Sequence, residues 1–176
     1  MRLLVDHLRA NGHQRIGFFG FEPSFSWART RLGTFLGTIM SSGLPHDSAD
    51  IIAASKEAAH SYSPADLRDH LPKIRARIKA GVKGWVCSSY VLAQALCGLL
   101  RGAGYRVPGD ISVTGIHGGE RIQQPGIPHP TTVEADDQAL GAAAVHLLNF
   151  RKLRSVPAPS VLLLPVRLIQ GDSTEP

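Results

Sequence analysis

"VPGDISVTGIHGG", residues Val107 to Gly119, is the stretch that decides how this sequence folds. Pro108, Gly109 and Asp110 are turn-forming residues. Behind them Ile111-Ser112-Val113-Thr114-Gly115-Ile116 is an apolar run of strand length, ended by His117, Gly118 and Gly119. Ahead of the turn, Val91, Leu92, Ala95, Leu96, Leu99 and Leu100 recur at helical spacing until Ala103-Gly104 stops them. Helix, turn and strand in that order are the second half of a βαβ unit. In an open sheet of such units, ligands bind at the carboxyl ends of the strands. His117 stands at such an end, where it either contacts a ligand or simply terminates a strand.

The same alternation runs outward from this stretch. Toward the amino terminus, Leu3 to Ala10 predicts a helix closed by Asn11-Gly12, and Arg15 to Phe21 predicts a strand. Ser26 to Met40 predicts a second helix with Leu32, Phe35, Leu36 and Ile39 as its buried stripe, ended by Ser42-Gly43. Asp50 to Ala54 reads as a strand and Lys56 to Ser63 as a polar loop. Ser63-Pro64 opens a helix that Pro72 divides into two short ones. Gly84 to Ser88 is a further strand, and Ser88 or Ser89 caps the helix after it. Toward the carboxyl terminus, Gln123 to Pro130 is irregular. Asp136 to Arg151 predicts a helix, and Ser160 to Leu168 a final strand interrupted by Pro165. Strands alternating with helices predict an α/β fold, a mainly parallel doubly wound sheet with helices on both faces. No repeat of solenoid period is present.

The bulk properties narrow the function classes. The 176 residues fit one domain, and 43% hydrophobic with 19% charged residues is a globular composition. Two cysteines, Cys87 and Cys97, sit among apolar neighbours and read as reduced core thiols. No apolar run is long enough to span a bilayer, and Asp6, His7 and Arg9 break the start of what begins like a signal peptide. A cytoplasmic protein without membrane contact is expected. The formal charge is +5 and the isoelectric point about 9.6. The densest basic run, Lys73 to Lys79, falls opposite the apolar positions Leu67, Leu71, Ile74, Ile78 and Val82, so it reads as a solvated helix face. Zinc-finger spacing, a basic zipper and a helix-turn-helix are all missing from these residues.

Catalytic patterns are equally sparse. There is no Gly-x-Ser-x-Gly elbow, no phosphate-binding glycine fingerprint and no His-x-x-x-His pair. Cys87 precedes a helix N-terminus but has no histidine partner in sequence, so an enzyme built on Cys87 or His117 is the weakest reading. No catalytic residue, metal site or cofactor is expected. What remains is a set of loops after successive strands: Phe21 to Arg31, Ser88 to Tyr90 and His117 to Gln123. Arg29 and Arg31 offer forked cations for hydroxyls, carboxylates or phosphates, unless they are only solvent-exposed helix charges. Trp27 and Tyr90 offer flat surfaces for a ring. This is the inventory of a binding cleft.

Four stretches carry a resemblance. "HLRANGHQRIGFFG" (His7 to Gly20), "VPGDISVTGI" (Val107 to Ile116), "PHPTTV" (Pro128 to Val133) and "LLPVRLIQGDST" (Leu163 to Thr174) appear in the order and spacing of LacI/GalR-type transcriptional regulators. The chain resembles the C-terminal sensor part of that family, a lobe of the type I periplasmic-binding-protein-like fold. The resemblance implies residues 1–131 mostly as C-terminal lobe, and 132–176 as a crossover helix and final strand. A DNA-binding head, its hinge and most of an N-terminal lobe have no counterpart in these residues, so operator DNA would be met only through a head outside them. The crossover helix, without that lobe's sheet, is expected to pack differently or to keep an exposed apolar face.

The resemblance also implies a small-molecule effector, sugar-like or anionic, and a homodimer. In "ARTRLGTF", Arg31 stands four residues before Phe35, where relatives place an effector-gripping arginine, and Arg29 where some have a second. Ser89 and Tyr90 replace an Asn-Asp pair, and His117 replaces an aspartate that grips effector hydroxyls. Effector-binding residues are thus expected to be Arg29, Arg31, Ser89, Tyr90 and His117. The alternative is a regulator lobe serving only for dimerisation or protein contact, without a ligand.

Overall fold

Phe18 and Phe19, adjacent in one strand, are both buried, each in a different hydrophobic core. That is only consistent with a strand covered on both faces. The computed structural model describes residues 1–22, 24–54, 67–116, 125–154 and 161–175. Among them a six-stranded sheet forms from β1 (Ile16–Phe21), β2 (Ile51–Ala54), β3 (Gly84–Cys87), β4 (Ser112–Ile116), β5 (Thr131–Ala135) and β6 (Val166–Ile169). The strand order is β2-β1-β3-β4-β5-β6. All pairs are parallel except β5 with β6. The mainly parallel, helix-flanked α/β architecture is therefore the one expected.

Helices clothe the two faces. On one, Leu4, Val5 and Leu8 of α1 (Arg2–Ala10) and Phe35 and Ile39 of α2 (Ser26–Ser41) pack with Phe18, Val86 and Val133. On the other, Ile74 of α3 (Leu71–Lys79) and Leu92, Leu96 and Leu100 of α4 (Tyr90–Gly102) pack with Phe19, Trp85 and Val113. Successive residues of β3, Trp85, Val86 and Cys87, go to opposite cores in turn, as the two-residue period of a strand requires. Each fully buried leucine contributes roughly 1.5–3 kcal/mol. Gly115 of β4 lets the strand lie against α4. A Cβ there would stand 2.9 Å from the Ala93 Cβ and 3.0 Å from the Ser89 carbonyl oxygen.

Several expected details shift. Pro72 falls in the first turn of α3, where its missing N–H costs nothing, so it opens that helix. A short 3-10 turn, Arg68–His70, precedes it. The proposed opening at Ser63-Pro64 lies outside the described residues. Thr131–Ala135 is a strand that the proline-rich run before it hid. The final strand starts at Val166, after Pro165, because proline has no N–H for the ladder.

The amino-terminal end of the sheet is closed by polar ties. Asp50, 2% exposed, accepts from Arg15 Nε at 2.7 Å and from Arg77 Nε at 2.8 Å, joining β1, β2 and α3. The tail after β6 clasps the neighbouring strands. Ser173 accepts on its carbonyl from the Val113 N–H at 2.9 Å, and on its hydroxyl from the Thr131 N–H at 2.9 Å. The Thr174 hydroxyl meets His7 Nε2 at 2.8 Å and the Thr131 hydroxyl at 2.7 Å. The conspicuous "QGDST" run is thus a structural clasp.

One helix stands apart. α5 (Asp137–Arg154) has no buried residue among those whose burial is described. Leu140, Val145, Leu148 and Phe150 are all exposed. Of the two outcomes expected for this helix, different packing or an exposed apolar face, these side chains show exposure.

Candidate functional site

The strand order reverses between β1 and β3: from β1 the chain goes first to β2 on one side, then to β3 on the other. Connections leaving β1 and β3 therefore part in opposite directions and open a crevice at their carboxyl ends. Two hydrogen-bonded elements frame it. The Ser88 N–H donates to the Phe19 carbonyl at 2.9 Å, holding the end of β3 to β1. The Ser89 hydroxyl then accepts the Leu92 N–H at 3.2 Å and caps α4. The expectation of a cap at Ser88 or Ser89 resolves to Ser89.

Arg31 spans this crevice. It projects from the second turn of α2, and its Nη1 donates to the Ser88 carbonyl at 2.5 Å. Its guanidinium carbon lies 4.9 Å from the centre of the Trp27 ring, a cation–π contact. Half-burial lowers the Arg31 pKa from its ordinary value, because desolvation penalises the cation. It remains charged at any neutral pH. Trp27 in turn meets Phe21 edge-on at 5.8 Å and stacks on Phe25 at 5.9 Å with 14° between the rings. Phe25 and Trp27 are 40% and 39% exposed. Large aromatic rings left open beside a held guanidinium make a surface suited to a polar molecule with a flat face.

The other expected site residues lie as follows. Arg29 is exposed and donates from Nη1 to the Ser24 carbonyl at 3.2 Å, so it lies against the loop before α2, away from Ser88. Arg29 and Arg31, two apart on a helix, diverge. Ser89 is half-buried at the crevice edge, its hydroxyl engaged as the cap. Tyr90 is buried, and its hydroxyl meets His129 Nδ1 at 3.2 Å. Its flat ring is therefore spent in packing. His117 lies outside the described residues.

Two contacts were not anticipated. Ser88 supplies the carbonyl that holds Arg31, and its buried hydroxyl has no hydrogen-bond partner among the described residues. No sequence signal announces a backbone acceptor. His129 holds Tyr90, and its own carbonyl accepts the Asp172 N–H at 2.8 Å. Its place in "PHPTTV" was the available hint.

Thiol chemistry is disfavoured. Cys87 and Cys97 are fully buried. Burial pushes the Cys87 thiol well above its usual range and the Cys97 thiol to about 12, so neither supplies a thiolate near neutral pH. Among the described residues no three His, Cys, Asp or Glu side chains gather to hold a metal.

The comparisons with known proteins agree with this arrangement. Residues 5–174 match the periplasmic binding protein-like domain family. The maltose regulon regulatory protein MalI of Escherichia coli is 35% identical over 78 residues, 43% of this chain and 22% of MalI. A LacI family transcriptional regulator from Mycobacterium smegmatis has the same fold, with TM-score 0.76 at 24% identity over 99% of this chain and 62% of that one. So does an Escherichia coli sugar-binding regulator of the LacI family complexed with phosphate, with TM-score 0.75 at 20% identity over 98% of this chain and 59% of that one. The chain thus spans less than two thirds of the length of these relatives, all of which are named as regulators and none as an enzyme. The chain belongs to the family of periplasmic binding protein-like domains, and the resemblance to LacI-type transcription regulators read from its four motifs holds in sequence and in fold.

Proposed function

We propose that this chain is the effector-sensing and dimerising part of a LacI/GalR-like DNA-binding regulator, controlling transcription in response to a small polar molecule. The observation that carries this reading is Arg31 bound across the β1–β3 switch point, with its guanidinium stacked on an exposed Trp27. An arginine fork beside an open aromatic face grips hydroxyls or an anionic group while a ring lies on the aromatic. Arg29 lies against the loop before α2 and is included on the resemblance, and Ser89 offers the spare lone pair of a capping hydroxyl. Tyr90 contributes from behind, holding the start of α4. His117 is included on the resemblance alone. The site binds and does not react: among the described residues it holds no activated nucleophile, and the protein's output is a change of arrangement.

Operator DNA is met through a head outside these residues, and the working unit is a homodimer. No described helix is long and apolar enough to cross a membrane, and a regulator of transcription works in the cytoplasm. Calorimetric titration of the chain with maltose, glucose 6-phosphate and inorganic phosphate tests the sensing role. Saturable heat with at least one of them, weakened in Arg31→Ala, is expected. Silence from all three, with no change in Trp27 emission, overturns it. Trp27 is the exposed member of the two tryptophans, Trp85 being fully buried, so emission reports on this site.

A further inference from the structure

Three arginines among the described residues are partly buried: Arg15, Arg31 and Arg77. Two of them share a counter-ion, since Arg15 Nε and Arg77 Nε both donate to Asp50, at 2.7 Å and 2.8 Å. The third has none. Among the described residues Arg31 meets only neutral partners, the Ser88 carbonyl and the Trp27 ring. A cation taken partly out of water without a counter-charge is held at a cost in stability. Such a breach of a local rule is expected where function requires it. We propose that the effector carries an oxyanion, a carboxylate or a phosphate, which seats on Arg31 as the missing counter-ion, and that neutral sugars are poor ligands. The proposal rests on the effector-sensing reading above and names the chemical class of its ligand.

The guanidinium is placed for such a group. Trp27 covers its face, with the guanidinium carbon 4.9 Å from the ring centre. That leaves the edge, where in-plane N–H donors meet two oxygens side by side. Nη1 is anchored on the Ser88 carbonyl, so the fork is oriented before a ligand arrives. Ser88 is itself 1% exposed, and its hydroxyl has no partner among the described residues. A buried hydroxyl without an acceptor is a further donor that an oxyanion satisfies. The local field has the same sign. Burial first, and Arg31 after it, lower the basicity of the Met1 amino group at the start of α1. The positive end of that helix is thus within reach of Arg31 and adds to its pull on an anion. A sugar hydroxyl gains less here, because it accepts a hydrogen bond and leaves the charge uncompensated.

Thermal unfolding in sodium phosphate and in sodium chloride, at equal ionic strength and pH 7, tests the charge class without presuming the rest of the ligand. The wild type is expected to unfold at a higher temperature in phosphate. Arg31→Gln removes the cation and is expected to lose that difference. Arg9→Gln, which deletes an exposed cation of α1, is expected to keep it. An equal phosphate increment in all three proteins overturns the proposal. Trp27 emission then reads titrations with glucose, gluconate and glucose 6-phosphate, which share one carbon skeleton. One of the two anions is expected to bind about 10- to 100-fold more tightly than glucose, the range of a hydrogen bond to a charged group, and to lose that preference in Arg31→Gln. Preference for gluconate assigns a carboxylate to the site, and preference for glucose 6-phosphate a phosphate. Glucose bound as tightly as both anions overturns the oxyanion and leaves the effector-sensing reading standing. Silence from all three ligands, with no phosphate increment in the wild type, overturns both.

Discussion

Arg31 and Ser88, 57 residues apart in sequence, meet across the carboxyl edge of the sheet, where Nη1 of the one donates to the carbonyl of the other. The bond ties the helix after β1 to the end of β3 at the one place where the sheet's winding reverses. A ligand in that crevice meets a guanidinium already oriented, with four of its five N–H donors still to place. Removing it in Arg31→Ala is expected to weaken effector binding by about 1.5–3 kcal/mol, the range of a hydrogen bond to a charged group. Arg31→Lys keeps the charge, loses the fork and is expected to fall between. Calorimetric titration against the wild type reads this, and equal affinity in all three proteins removes Arg31 from the site.

The sequence spoke clearly about the scaffold and less about the site, for a physical reason. Periodicity identifies a strand such as Ile16–Phe21 because both of its faces are apolar and its ends are marked by turn residues. Thr131–Ala135 was hidden because prolines crowd its start and threonines carry its buried positions, paired by hydroxyls and not by apolar contact. Arg31 was legible as a candidate through the resemblance, which implies an effector-gripping arginine four residues before an aromatic. Its partner was not, since a backbone carbonyl is offered by every residue and only the fold selects Ser88. Tyr90 reads as an open ring in sequence, yet its place in the first turn of α4 turns it into the core and toward His129. Side-chain type was visible in advance, but direction was not.

Asp50 gives a second prediction, independent of any ligand. Its side chain is 3% exposed and holds Arg15 and Arg77, which are 27% and 19% exposed. Asp50→Ala leaves two half-buried cations without their shared partner. A loss of about 3–5 kcal/mol is expected from urea unfolding, the range for breaking a buried ion pair on one side. Asp47 touches the same two arginines from an exposed side chain and caps the Ala49 N–H, so Asp47→Ala is expected to cost clearly less than Asp50→Ala. Equal costs for the two variants would contradict the assignment of the tie to Asp50.

Gly115 tests the close approach of β4 to α4. Its added Cβ would stand 2.9 Å from the Ala93 Cβ and 3.0 Å from the Ser89 oxygen, both on a helix start that is itself capped and held. Neither neighbour is the free end of a flexible chain. Gly115→Ala is expected to destabilise by about 1–3 kcal/mol, and to disturb the crevice through Ser89. Ala93→Gly relieves the shortest of three close contacts and leaves the Ser89 oxygen and the Tyr90 Cα, each at 3.0 Å. Partial recovery of the denaturation midpoint in the double variant Gly115→Ala with Ala93→Gly is the confirming result, and a neutral Gly115→Ala is the refuting one.

Acid stability follows from three histidines. Burial lowers the pKa of His7, His13 and His70 below the ordinary 6.5, with His7 and Lys83 adding to the effect on His13 and Lys73 to that on His70. The folded protein therefore favours the neutral rings, and below pH 6.5 the unfolded chain binds more protons than the folded one. Their contribution is complete above 6.5 and is lost progressively as pH falls toward the lower folded values. Asp110 acts in a separate window. Hydrogen bonds from Arg106 hold its carboxyl at about 2 against an ordinary 3.8, so its contribution is present above 3.8 and is lost only as pH falls toward 2. Urea midpoints are thus expected to decline from pH 7 to pH 5 and to steepen again below pH 4. His7→Gln keeps a polar contact in reach of Thr174 and removes one titrating ring, so it should flatten the first decline while leaving the second untouched. A first decline of unchanged depth in that variant would take His7 out of the account.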